Sequence, residues 1–441
     1  MASTDTMSLA DKGQRLGLRL IAKAGGLPGL KDKEVRAKVE RYLYKGAVTG
    51  FKAQTAAGRA FTKKQGSGGP ARAATAKPKP LFDLTPTEDQ QMIQGVAREL
   101  ADEIIRPAAA TADAERAVPA EVRTAAAEVG LHLVGVPAEL DGIAEERSAV
   151  TGAIVLEELA RGDMGIATAI MAPAAVATAI AAYGDADQQA TYLPEFTGET
   201  PPTAALALHE PQPLFDPFAL RTTGRVEGDE IVLDGVKAIV PGAEAADLFI
   251  VSAAIDGEPR LVLVKPGTEG VKTEDDPAMG VRAAKTARLH LEGARVAKSD
   301  LLGTAEDHAD AVRRARLAWA AGAVGTSQAV LDHVSEYVKE RKAFGEPIGY
   351  RQAVAFTVSD IAIELAGLRL VVWKAAARLD RGEDASAEIA QARSLVSRHA
   401  TWIGSSGVQL LGGHGFVKEF DNERWYRDLR GAGVLEGTLL V

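Results

Sequence analysis

The feature that most constrains the fold is the order of two hydrophobic periodicities along the chain. Helical spacing of apolar residues runs through about 81–206 and resumes after about 306. Between these segments, residues 207–305 carry β-prone runs separated by turn dipeptides such as Gly228-Asp229 and Asp256-Gly257. One stripe in the second helical segment consists of Val354, Val358, Ile361, Leu365 and Leu368. We therefore predict a mainly α protein with an N-terminal helical domain over 81–206, a middle antiparallel β domain over 207–305 and a C-terminal helical bundle over 306–441.

Charge divides the chain into two parts. Residues 1–80 hold 17 Lys and Arg against 5 Asp and Glu, a net charge of +12, whereas the rest holds 34 against 55, a net charge of −21. The stretch 66–80 is rich in Gly, Ala, Pro and Lys, which predicts a linker. Residues 1–80 are thus interpreted as a basic extension and linker. Two roles stay open for the extension: contact with an anionic membrane surface or an acidic protein, and a plain accessory segment. Binding of nucleic acid is disfavoured, because the rest of the chain is acidic and the extension has few aromatic residues.

Several kinds of site are missing from the sequence. The absence of cysteine excludes disulfides, thiolate metal sites and a cysteine nucleophile. No phosphate-binding P-loop, zinc-binding HExxH helix or GxSxG nucleophile motif occurs, so we predict no metal. The uncharged stretch Met164–Tyr183 is interrupted by Pro173 and predicts a helix in the core of a helical domain. With no secretory signal pattern at the N-terminus, we expect a cytoplasmic protein, at most peripheral at a membrane.

Three short motifs carry candidate chemistry. Residues 409–416, QLLGGHGF, place three glycines where backbone N–H groups can face phosphate, although a helix end followed by a turn explains them equally well. Residues 341–345, RKAFG, combine a cation, a ring and a turn, which suits a pyrophosphate and an adenine or simply a solvated helix end. Glu436 lies among apolar residues, either as a local cap or as a base with a raised pKa.

Taken together and in this order, the motifs resemble those of the acyl-CoA dehydrogenase family over about residues 85–438. The resemblance rests on VLEELARGDMGIATAI (155–170), TYLPEFTGE (191–199), ERKAFGEPIGYRQ (340–352), QLLGGHGF (409–416) and YRDLRGAGVLEGT (426–438). It implies that the middle domain is an antiparallel β-barrel and the last a four-helix bundle. It also implies FAD as cofactor, an acyl-CoA substrate, an electron-transfer flavoprotein or similar acceptor as partner, and a homodimer or homotetramer.

The resemblance further assigns roles to individual residues. Glu436 is the expected base that removes the α-proton of the thioester while the β-hydride passes to the flavin, giving the trans-2-enoyl-CoA. Family members that carry the base on an earlier helix would place it at Ala315, which cannot serve. Arg316 is expected near the CoA nucleotide and Gly437 at the substrate. Arg341 and Phe344 are expected to contact the FAD pyrophosphate and adenine across a dimer interface. The other residues expected to hold FAD are Gln352, Gln409, Gly412, Gly413 and Thr438.

Departures from the family pattern concentrate in the β domain. The usual TEPxxGSD loop reads HEPQPLFD over 209–216, so that His209 and Phe215 replace small hydroxyl residues. The usual Trp-Ile-Thr/Ser reads Ala238-Ile239-Val240, and the sequence ends three residues after Thr438, where a terminal helix is usual. These changes keep two alternatives open: a flavin oxidase or monooxygenase on the same fold, and a partner-dependent, weakly active or noncatalytic subunit of a dehydrogenase complex, in which the chain forms a hetero-oligomer.

Overall fold

The computed structural model describes residues 74–75 and 83–441, apart from 145 and 199. The basic extension therefore lies outside the described residues, and so does its proposed contact with a membrane or an acidic protein. Of the predicted linker, only Ala74–Thr75 (β1) is described, and it pairs in parallel with Glu146–Arg147 (β2).

Helices fill the N-terminal part of the described chain. The first begins at Glu88, where Thr87 caps it by accepting from the backbone N–H of Gln90 at 3.1 Å. A π-helical turn, Ala101–Ile105, joins the first two helices. The helices are α1 (Glu88–Leu100), α2 (Arg106–Glu115), α3 (Ala120–Val129), α4 (Ala149–Gly162), α5 (Met164–Tyr183) and α6 (Ala186–Phe196).

Helix α5 is the uncharged segment noted in the sequence. Among the described residues it is the one helix long and apolar enough to cross a membrane, yet 83% of its most apolar window is buried inside the structure. Its side chains pack with strands of the central sheet and with Ala311 and Val312 of the next domain. The helix is thus part of the core, as its Ala-rich composition and Pro173 predicted.

A sheet of eight strands forms the middle of the molecule. The strands are β3 (Ala204–Ala207), β4 (Thr223–Glu227), β5 (Glu230–Pro241), β6 (Leu248–Ile255), β7 (Glu258–Val264), β8 (Val271–Asp275), β9 (Thr286–Ala297) and β10 (Leu301–Leu302). They run in the order β10-β7-β6-β4-β5-β9-β8, with β3 added beside β6. Most neighbours are antiparallel, as predicted, but β3 and β4 both lie parallel to β6.

Three long helices and a short one build the C-terminal part. They are α7 (Ala305–Glu340), α8 (Gln352–Asp380), α9 (Ser386–Leu410) and α10 (Asn422–Leu429). A hairpin of Lys342–Ala343 (β11) and Glu346–Pro347 (β12) joins α7 to α8, and a 3₁₀ turn, Gly412–Phe416, follows α9. Ile361, Leu365 and Leu368 of the predicted stripe are buried. The structure confirms the predicted class, mainly helical with a central sheet domain and a C-terminal helical domain.

Candidate active site

Glu436 is a buried carboxylate held by two arginines from different helices. It is 3% exposed. Arg316 of α7 donates from Nε to both carboxylate oxygens, at 3.1 and 3.0 Å, and from Nη2 to Oε1 at 2.7 Å. On the other side, Nη2 of Arg393 on α9 lies 2.9 Å from Oε1. Two guanidinium groups therefore face one carboxylate.

The backbone around Glu436 is fixed by the helix and the strand that flank it. The indole Nε1 of Trp319, one turn beyond Arg316 on α7, donates to the carbonyl of Gly437 at 2.9 Å. The N–H of Thr438 donates to the carbonyl of Leu206 on β3 at 3.0 Å. Gly437 has φ +73°, and a Cβ there would lie 2.7 Å from Cβ of Leu208, so the position requires glycine. Glu436 thus sits between α7 and the edge of the sheet.

The sequence predicted Arg316 and Gly437 as substrate residues, and the structure brings both to Glu436. Arg316 also lies under an aromatic ring, because its guanidinium carbon is 5.6 Å from the centroid of Phe218. That ring lies 6.3 Å, edge to face, from His308, which is buried and has no hydrogen-bond partner on either ring nitrogen. The expected contact of Arg316 with the CoA nucleotide stays a prediction.

Below this group, the sheet holds a buried ion pair that the sequence did not single out. Nζ of Lys237 lies 2.8 Å from Oε1 of Glu210 and donates to Oγ of Ser252 at 3.0 Å. Burial lowers the pKa of Lys237 to about 8, against the pull of the Glu210 carboxylate. Burial disfavours the ionised form of Glu210 as well, but Lys237 and the hydrogen bonds outweigh it and lower the pKa of Glu210 to about 2. A lysine within the apolar run IVLDGVKAIV was the available sequence signal.

His209, which replaces a family threonine, lies beside this pair. Its carbonyl accepts from the N–H of Ala238 at 2.9 Å, and its ring meets Phe215 edge to face at 5.3 Å. Burial lowers the pKa of His209 to about 4, and Lys237 adds to the shift. The imidazole is therefore neutral near pH 7, and its buried Nδ1 has no hydrogen-bond partner.

The remaining predicted cofactor residues form a second, exposed group. Arg341 follows the last residue of α7, and Phe344 in the following hairpin is 97% exposed. The hydroxyl of Tyr337 joins this helix end to the glycine turn, because it donates to the carbonyl of Leu411 at 3.3 Å and lies 2.8 Å from Nδ1 of His414. The exposed members are Arg341, Phe344, Gln352, Gln409, Gly412 and Gly413. Thr438 is not among them, since it is buried next to Glu436.

Each group offers contacts of the kind that one part of an FAD molecule needs. At Gly412 and Gly413 a Cβ would meet nothing within 4 Å, which leaves backbone open to a phosphate. In the buried group, the orphaned Nδ1 of His209 offers a hydrogen-bonding site to a polar ring edge. Among the described residues, no cluster of His, Asp and Glu suited to a metal ion occurs.

Comparison with known proteins identifies the family. Three family models match in order: the acyl-CoA dehydrogenase N-terminal domain over 87–199, middle domain over 205–294 and C-terminal domain over 309–440. The chain is 33% identical over 365 residues to the mitochondrial short-chain specific acyl-CoA dehydrogenase of Bos taurus, covering 80% of this chain and 87% of the relative. It is 32% identical over 372 residues to the 3-(aryl)acrylate reductase of Clostridium sporogenes, covering 80% and 96%.

A solved structure agrees with these relatives. A solved chain described under the electron transferring flavoprotein of Acidaminococcus fermentans superposes with a TM-score of 0.74 at 28% identity. The match covers 80% of this chain and 96% of that chain. Fold, domain order and sequence therefore point to one family, and they confirm the resemblance found in the sequence. The chain belongs to the acyl-CoA dehydrogenase family and is an FAD-dependent oxidoreductase that acts on a CH–CH group.

Proposed function

We propose that this chain oxidises an acyl-CoA thioester to the trans-2-enoyl-CoA, with Glu436 as the base that removes the α-proton. The observation that carries the proposal is the buried Glu436 carboxylate between Arg316 and Arg393. An α-proton is too weakly acidic for a carboxylate in water, so the base must work in a site from which water is excluded. Burial supports this role for Glu436, as do the contacts of Trp319 and Leu206 with the residues that follow it.

The protein's own groups account for binding and proton transfer. One carboxylate oxygen of Glu436 takes the α-proton, and the main-chain N–H of the same residue is the donor that the family resemblance assigns to the thioester oxygen. Hydrogen bonds to that oxygen stabilise the negative charge that develops on it. FAD, when bound, supplies the acceptor for the β-hydride. His209 offers Nδ1 to the flavin, in the place of the family threonine.

The exposed group is proposed to hold the adenine and diphosphate of FAD. Arg341 supplies the charge for the pyrophosphate, and Phe344 supplies the ring for the adenine. Gly412 and Gly413 supply backbone that a phosphate can approach. Gln352 and Gln409 add amide groups on the same exposed ends of α8 and α9. Thr438 is retained as a cofactor residue only through its place beside Glu436, at the buried end of the site.

A second copy of the chain is the proposed partner of helices α8 and α9. An apolar stripe on α8 repeats every seven residues, and two more exposed apolar side chains follow the same interval on α9. The stripe residues are Phe356, Ile363, Leu370, Leu395 and Trp402. A homodimer or homotetramer would cover this face and bring the exposed group of predicted cofactor residues of one copy against its neighbour. An electron-transfer flavoprotein or similar acceptor is the proposed oxidant of the reduced enzyme.

The deciding experiment expresses Glu436→Gln beside wild type and beside Glu419→Gln, an exposed control. FAD content, spectra and turnover are measured with a panel of acyl-CoA thioesters and an artificial electron acceptor. We expect E436Q to bind FAD but to lose at least about 100-fold in rate, because a general base contributes that much or more. Dehydrogenation by E436Q at the wild-type rate would refute the proposal.

Two other functions are separated by the same preparation. Oxygen consumption without the artificial acceptor would favour an oxidase or monooxygenase. Ala238, which stands in place of the family tryptophan, would leave the flavin more open to oxygen. Purification without FAD would favour a noncatalytic or partner-dependent subunit. Because one relative is named a reductase, turnover is also measured from the 2-enoyl thioester with a reduced electron donor.

A further inference from the structure

Arg393 contacts three consecutive residues of the segment that carries Glu436. Its Nη1 donates to the carbonyl of Leu435 at 3.0 Å, and its Nη2 donates to the carbonyl of Val434 at 3.1 Å. The same Nη2 lies 2.9 Å from the Glu436 carboxylate. One rigid, planar guanidinium thus fixes the backbone before the base and the carboxylate itself.

A second contact, one helical turn further along α9, holds the same segment. A Cβ on Gly433 would lie 2.1 Å from Cβ of Ser397, so the backbone at Gly433 packs directly against the helix. Because residues 393 and 397 lie on the same face of an α-helix, α9 presents one continuous support to residues 433–436. Ala392 and Val396 anchor that turn of α9 in the core.

Arg316 differs in the way it contacts the base. Among the described residues its guanidinium donates to the Glu436 side chain, and the ring of Phe218, which is itself partly exposed, covers that guanidinium. Arg316 can therefore leave the carboxylate without a change in the backbone of residues 433–436. Both carboxylate oxygens are paired with Arg316 in this structure, so a substrate that takes up Arg316 would free hydrogen-bonding sites on Glu436.

We propose that Arg393 is a positioning residue for the reaction: it holds the 434–436 backbone and one oxygen of Glu436 in place, while Arg316 is the partner that gives way to substrate. The proposal rests on the proposed role of Glu436 as base. The chemistry follows from geometry, because misplacing a reacting group by about 1 Å can cost about 100-fold in rate. Arg393 acts through Glu436 and does not contact the reacting carbon.

The test compares Arg393→Gln, Arg393→Lys and the control Arg398→Gln in the full-length, FAD-loaded enzyme with butanoyl-CoA as probe. Arg398 is exposed on the same helix. We expect R393Q to lower kcat at least 10-fold while KM changes less than 3-fold, and R393K to recover part of kcat, because one ammonium cannot reach all three acceptors. R398Q should match wild type.

A double variant distinguishes positioning from a general loss of structure. In the E436Q background, R393Q should lower the residual rate by a smaller factor than it lowers the wild-type rate, because the carboxylate that Arg393 positions is already gone. An unchanged kcat in R393Q, or an equal loss of rate with and without Glu436, would overturn the proposal. If R393Q does not fold, R393K decides: wild-type kcat there would also overturn it. Wild-type activity in E436Q would instead refute the function on which the proposal rests.

Discussion

Lys237 and Glu210 form an ion pair inside the central sheet, and the side chain of Lys237 is completely buried. Nζ of Lys237 is 2.8 Å from Oε1 of Glu210, and the carboxylate also accepts from the backbone N–H groups of Arg221 and Thr222, each at 2.9 Å. The pair ties the start of the 209–222 loop to its end and to strand β5. His209 and Phe218, which border the candidate active site, belong to that same loop.

Removal of one partner of this pair should be costly. Lys237→Met leaves the buried Glu210 carboxylate without its cation, and we expect a loss of about 3–5 kcal/mol in the free energy of unfolding. The double variant K237M/E210Q should lose clearly less, because no uncompensated charge is left. Urea denaturation of the three proteins measures the difference. A loss below about 1 kcal/mol in K237M would show that the pair contributes little.

A second buried carboxylate should make stability depend on pH. Burial, and after it the neighbouring Asp163, raises the pKa of Asp428 to about 7 from an ordinary 3.8, although Asp428 accepts from the N–H of Val281 at 2.6 Å. A folded-state pKa above the unfolded one gives stability that is full below about pH 4 and is lost as the pH rises to about 7. The slope from this group is at most about 1.4 kcal/mol per pH unit.

Asp428→Asn removes this titration and keeps an oxygen that can accept from Val281. We expect the variant to gain stability relative to wild type as the pH rises from 5 to 8. Thermal unfolding at a series of pH values measures the gain. An identical pH dependence in the two proteins would mean that Asp428 is already ionised at pH 5 in the folded state.

Leu214 stores backbone strain in the loop that departs from the family pattern. It has φ +55°, stands where the family motif has glycine, and its side chain is fully exposed. A left-handed conformation costs a residue with a Cβ about 1–2 kcal/mol, which glycine avoids, though glycine loses more entropy on folding. Leu214→Gly should therefore raise the free energy of unfolding by up to about 1 kcal/mol. Met279→Gly, at an exposed residue without positive φ, should lower the free energy of unfolding. An equal change in the two variants would contradict the proposed backbone strain at Leu214.

The sequence predicted the domain order, because hydrophobic periodicity is a local property. It did not predict that β3 and β4 lie parallel to β6, since hairpin signals describe only strands that are adjacent in the chain. Glu436 was found through its motif. Arg393 was missed because it stands alone on an amphipathic helix, 43 positions before Glu436, and only the tertiary structure brings the two together.

The exposed stripe on α8 leads to a last prediction, about assembly. Ile363→Asp places a charge in the middle of the stripe, and burying an unpaired charge in an interface is unfavourable. We expect wild type to sediment as a dimer or larger species and I363D to dissociate and to retain FAD less well, because the proposed adenine site is completed by the neighbouring copy. Sedimentation velocity and flavin content after gel filtration measure both effects.

Thr124→Asp, on an exposed position of α3, controls for added charge. A monomeric wild type that keeps a full complement of FAD would contradict the proposed assembly, and a hetero-oligomer would be indicated if the flavin appears only after a second subunit is added.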